Sequence, residues 1–172
     1  MRRSPTRAAF SLVEVVIAVG VLAVAVAGVL VLLPGLTREV ADMSDEMTAQ
    51  RFPGAVHSEL ARAAGGGSLA GLAARLGGFD AGTTLRLVAT HDGRTVQLAE
   101  DTSLVPAEQY FLIEVRAFAA APLAFDTGAG AVLPAWVNVS WPYRRPDPAG
   151  GEAIETAAAD RAVFSFAVAL NR

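Results

Sequence analysis

The sequence predicts an α+β protein, in which a long N-terminal membrane-spanning helix continues into an amphipathic helix packed on a small antiparallel β-sheet head. Three observations carry this reading. An apolar run from Phe10 to Leu33 is preceded by arginines. Helical spacing of apolar residues follows it as far as residue 64. Alternating, β-branched and aromatic segments then fill the C-terminal half.

The apolar run comes first. As a helix its 24 residues span about 36 Å, against roughly 30 Å of hydrocarbon, so it is long enough to cross a bilayer. Arg2, Arg3 and Arg7 precede it, and the acidic residues Glu39, Asp42, Asp45 and Glu46 follow. That asymmetry places the N-terminus in the cytoplasm and the C-terminal part outside it. Within the run one residue is charged, Glu14. A charge inside an apolar segment costs about 2–3 kcal/mol even on lenient insertion scales, so it normally has a role.

Two ordinary readings account for this segment incompletely. A secretory signal peptide needs a small-x-small cut, which Ala25-Val26-Ala27 offers, but the apolar run continues six residues further and contains a Glu. A plain single-pass anchor explains the length and leaves Glu14 without a purpose. Gly20 and Gly28 lie eight residues apart, on roughly one side of the helix, where they would permit close helix–helix approach. Pro34-Gly35 is expected to end or kink the helix at the outer boundary.

From Leu36 to Arg51 the chain turns polar and keeps helical spacing, with Val40, Met43 and Met47 as the stripe expected to face the head. Phe52-Pro53-Gly54 is expected to interrupt the helix, and Val56, Leu60 and Ala63 mark a second stretch over 55–64. Residues 65–83 read as a Gly/Ala-rich connector, in which a short helix fits Leu69–Leu76. Gly65-Gly66-Gly67 lacks the Lys-Ser/Thr and preceding strand of a phosphate loop.

The β head is expected over 84–172. Segments 84–90 and 94–98 flank His91-Asp92-Gly93, a hairpin signal. Segments 110–119, 136–141 and 162–170 read as further strands, and 120–134 and 142–160 as loops. Strict alternation over Trp136–Trp141 puts the two tryptophans on opposite faces, one of them in the core.

Composition narrows the function classes. Net charge is −3, so no basic surface suggests nucleic acid as a partner. The absence of cysteine removes disulfides and thiolate metal sites. The two histidines, His57 and His91, are expected on exposed positions, as are the scattered carboxylates, including Asp42, Asp45, Glu46, Glu100 and Asp101. Asp126-Thr127-Gly128 is too short a motif for a calcium loop, and Asn138-Val139-Ser140 matches a glycosylation sequon that a mid-strand position makes uninformative. No metal site, cofactor or catalytic constellation is expected, hence no enzyme.

Phe10-Ser11-Leu12-Val13-Glu14, behind its basic leader and ahead of its long apolar helix, closely resembles the signature of type IV pilins and type II secretion pseudopilins. The resemblance covers about 25 residues and sets apart a leader (1–9) and a transmembrane or assembly helix (10–34), ahead of the amphipathic segment (35–64), the connector (65–83) and the head (84–172) that the local pattern marks. It implies that a prepilin peptidase/methylase cuts between Ala9 and Phe10 and N-methylates Phe10. It also implies that Glu14 pairs with the N-terminal amine of a neighbouring pilin or pseudopilin during assembly. The family usually carries Gly before the cut, where this chain has Ala9.

The stretch from Phe10 through Pro34-Gly35 is also similar to the pilin-like group called Verru_Chthon cassette protein B, and Trp136–Trp141 resembles a late strand of PilV-type minor pilins. The implied protein is a minor pilin or pseudopilin of the bacterial inner membrane, its head periplasmic and filament-associated after assembly. The other reading of the residues is a single-pass anchored periplasmic binding module that never assembles.

Overall fold

The computed structural model describes residues 11–65, 69–76, 84–118, 123, 125 and 132–171. They divide into two compact units, residues 1–43 and 44–172. The fold is α+β, with one long apolar N-terminal helix and a five-stranded antiparallel sheet.

The first unit is helical from Leu12 onward. Helix α1 runs Leu12–Ala49, about 57 Å at 1.5 Å per residue, and ends just inside the second unit. Large apolar residues from Leu12 to Leu36 are between 45% and 82% exposed. A helix apolar on every side finds no such environment in water, so length and composition make this one able to cross a membrane. Of the end or kink expected at Pro34-Gly35, the end does not occur; Pro34 lies inside the helix. Proline there removes one i→i−4 bond, a cost of about 3 kcal/mol, and helix-forming leucines on both sides (Leu32, Leu33 and Leu36) favour its continuation.

The second unit opens with the last residues of α1. Here the sequence reading needs correction. Val40, Met43 and Met47, expected to face the head, are 62–66% exposed, whereas Asp45 and Ala49 are buried. The interruption expected at Phe52-Pro53-Gly54 comes two residues earlier, at Gln50-Arg51, and helix α2 (Phe52–Ala64) begins at Phe52. Pro53 sits in the first turn, where its missing N–H costs nothing. Phe52, Val56 and Leu60 bury completely or nearly so. The buried stripe therefore runs 45-49-52-56-60, at three- and four-residue steps. Gly65, at φ 58°, closes α2 with its N–H on the carbonyl of Arg62. Helix α3 (Leu69–Leu76) follows and buries Leu69, Leu72 and Leu76, so the expected connector contributes to the core.

Five strands form the main sheet: β1 (Leu85–Ala89), β2 (Val96–Leu98), β3 (Phe111–Ala117), β4 (Val132–Trp141) and, last in sequence, β7 (Ala162–Asn171). Their spatial order is β2-β1-β3-β4-β7, all antiparallel. Strand period two sends Phe111, Ile113 and Val115 of β3 and Val137, Val139 and Trp141 of β4 to the helix-covered side. Trp141 is buried and Trp136 half-buried on the other face, where its indole N–H donates to Asn138. The segment 142–160, expected as loop, holds a two-strand ladder, β5 (Arg144–Arg145) with β6 (Ile154–Glu155). Beneath it Tyr143, Val88 and Leu112 form a second small cluster.

Candidate functional site

The first candidate is the start of α1. Ser11 precedes the helix, and its hydroxyl oxygen accepts the backbone N–H of Glu14 at 3.2 Å. This is the Ser-x-x-Glu spacing of a capping box, a local signal the sequence reading missed. The interaction uses the main chain of Glu14, which any residue supplies, and so leaves the carboxylate unexplained. That carboxylate lies in the first helical turn, where the helix dipole favours negative charge. Its sequence neighbours Val13, Val15 and Val16 are 51–65% exposed. Among the described residues no ion pair involves Glu14. An added Cβ at Gly20 or Gly28 would meet nothing within 4 Å, so both positions are open. Arg2, Arg3, Arg7, Ala9 and Phe10 lie outside the described residues, as does Asp126-Thr127-Gly128.

The second candidate was not foreseen. Asp45, expected to be solvated, is only 7% exposed, whereas Asp42, Glu46 and His57 are exposed as anticipated. The Tyr110 hydroxyl donates to Asp45 Oδ2 at 2.6 Å, and His91 Nε2 lies 3.1 Å from Oδ1. The His91 ring stands edge-on to Tyr110, centroids 4.3 Å apart, with its side chain 66% exposed. Thus the end of α1, the β1–β2 turn and the approach to β3 meet at one carboxylate.

The turn is built for this contact. Asp92 Oδ1 accepts from the Thr90 hydroxyl at 2.6 Å and from the Arg94 amide at 3.1 Å. These bonds, the Thr90 hydroxyl foremost, hold the Asp92 carboxyl below the usual aspartate range. Their support is complete above that range and is lost as pH falls through the depressed value. Gly93 has φ 67°, and a Cβ there would lie 2.7 Å from Thr48 Cγ2, so only glycine lets the turn sit this close to the helix.

Chemically the Asp45 cluster ties helix to hairpin. A hydrogen bond to a charged group, such as that from Tyr110 to the Asp45 carboxylate, contributes about 1.5–3 kcal/mol. Asp45→Leu and Tyr110→Phe are therefore each expected to lower the stability of the full chain by that amount. Urea unfolding in detergent micelles measures both; an unchanged midpoint for Asp45→Leu would show the contact to be energetically idle.

A third feature is an open depression on the outer sheet face, lined by Arg86, Glu114, Glu155, Thr156 and Arg161. Its charges already pair, Arg86 with Glu114 at 3.4 Å and Arg161 with Glu155 at 2.7 Å. It offers no uncompensated charge to a ligand. Among the described residues no three His, Asp or Glu side chains converge as metal ligands.

The fold is that of an α+β protein with, among the described residues, one helix long and apolar enough to cross a membrane. No protein-family model matches the chain, and neither does any curated protein or solved structure.

Proposed function

We propose that this chain is a minor pilin or pseudopilin, a structural subunit of a type IV pilus-like or type II secretion-like filament, matured by a prepilin peptidase. The observation that carries the proposal is Glu14, the one charge in the apolar run, set five residues after Ala9 and amid exposed apolar side chains. A carboxylate in that position is costly unless a cation meets it. In this reading α1 crosses the bacterial inner membrane once, with the N-terminus cytoplasmic and the head periplasmic. Cleavage before Phe10 frees its α-amine, which the peptidase/methylase then methylates in a separate methyl transfer, and the Glu14 of an incoming subunit pairs with that amine on its neighbour. Other pilins or pseudopilins contact the chain through the apolar helix, and Gly20 and Gly28 are the points of closest approach.

Processing provides the test. A peptidase that reads a small residue before the cut excludes a bulky one by steric clash. Co-expressed with a prepilin peptidase, the wild-type chain and Ala9→Gly should both lose nine residues and begin at N-methylated Phe10. Ala9→Leu should stay full length. Mass spectrometry of the membrane-extracted protein reads all three. An intact Met1 in the wild-type chain would instead favour a permanently anchored binding module, and equal processing of the leucine variant would remove the steric argument.

A further inference from the structure

The two edges of the main sheet are unlike. One edge is β2, three residues long, flanked by Arg94 on one side and by Glu100 and Asp101 on the other. Short length and nearby charge are the usual means of keeping a strand edge from pairing. The other edge is β7, ten residues long, which pairs with β4 along its whole length and, among the described residues, with no strand on its other side. From Ala162 to Asn171 it contains no charge and no proline. Arg161 and Arg172 flank it, as charges flank β2, so what separates the two edges is length, ten residues of unpaired backbone against three.

The side chains of β7 show the same incompleteness. Phe164, Phe166 and Val168 point to the core side yet are only partly buried, and the Phe164 and Phe166 rings stand 5.8 Å apart. On the outer side Val163 is 60% exposed, and Ser165, Ala167 and Ala169 are small and exposed.

We infer that β7 is a docking edge that accepts an uncharged, extended segment of a partner chain as a sixth antiparallel or parallel strand. Two properties specify the occupant. Roughly five N–H and five C=O groups of a ten-residue edge face outward at strand spacing, and another extended backbone matches that row where a helix does not. The edge carries no charge to pair with one on the partner, so a charged residue beside Phe164 and Phe166 would be desolvated without compensation. The partner strand consequently has apolar residues at alternate positions, completing the cover over Phe164, Phe166 and Val168. This inference stands apart from the proposed filament role and does not require Glu14 or cleavage at Ala9.

Amide exchange followed by NMR on the full chain in detergent micelles tests it. The probe is an uncharged nonapeptide of alternating Thr and Val, compared with the same peptide N-methylated at every second amide. In the free chain, alternate β7 amides should exchange at least about tenfold faster than those of β4. The unmethylated peptide should slow them by about tenfold or more, and the methylated one should not. The double variant Val163→Lys/Ala167→Lys should abolish the effect while β3 and β4 stay protected, whereas Met47→Lys, on an exposed helix position of the same unit, should leave it intact. The inference is overturned by β7 amides already protected in the free chain, since the edge would then be occupied within the chain, or by a second copy if the protection depends on concentration. It is equally overturned by equal protection from the methylated peptide, or by none from either.

Discussion

Glu14→Val is expected to yield a protein that is cleaved and inserted normally and fails to assemble. The residues at the cut, Ala9 and Phe10, are untouched, so processing should survive. Insertion should survive or improve, because a charge worth about 2–3 kcal/mol of insertion penalty is gone. Assembly is different. Under the proposed function the N-terminal amine of one subunit lies among apolar helices and is neutralised by Glu14 of the next. Breaking such a buried pair costs on the order of 3–5 kcal/mol, because it leaves the other charge uncompensated. That corresponds to a loss of association of roughly a hundred- to several-thousand-fold.

The measurement is cross-linking or co-purification of processed Glu14→Val with its partner pilins, against wild type. Glu14→Asp should fall between, keeping the charge and shortening its reach by one methylene. A valine variant that is processed and still incorporated at the wild-type level would deny the charge any assembly role. The anchored-module reading would then lead.

The second large effect lies in the core of the head. Phe111→Ala should lower stability by about 3–5 kcal/mol, through lost burial and the cavity left behind. Phe111 is fully buried at the start of β3. Its ring touches Phe52 at 5.0 Å, Tyr110 at 5.0 Å and Trp141 at 5.8 Å between centroids, joining α2 to β3 and β4. Against a typical total of 5–15 kcal/mol such a loss is severe, and it should depress the melting temperature by about 10–20 °C. Tryptophan fluorescence is a suitable probe, because Trp141 is one of the neighbours. Phe164→Ala, at the partly buried edge, should cost clearly less. If the two variants melted together, the centre of the core would not lie at Phe111.

Much of the architecture was legible because it is written in short-range patterns. Asp92-Gly93 between alternating runs defined the β1–β2 hairpin, since few residues other than glycine adopt φ 67° there. Leu69, Leu72 and Leu76 outlined α3 by helical spacing, and the alternation of Trp136–Trp141 assigned its faces correctly. Errors arose where local rules met context. An end at Pro34 is absent, since α1 continues past it, and the interruption expected at 52–54 falls instead at Gln50-Arg51, with Pro53 in the first turn of α2. Val40, Met43 and Met47 looked like the buried stripe because they are apolar, but the stripe that buries contains Asp45.

By itself the sequence determined the apolar helix with its lone Glu14, the hairpin, the strands and their alternation, all of which depend on residues within a few positions of one another. Only the tertiary structure decided the strand order β2-β1-β3-β4-β7, the long β7 edge, and the meeting of Asp45 with His91 and Tyr110. Tyr110 is 65 residues from Asp45 in the chain. A buried carboxylate is tolerated only where donors arrive from elsewhere in the fold, and no local pattern announces them.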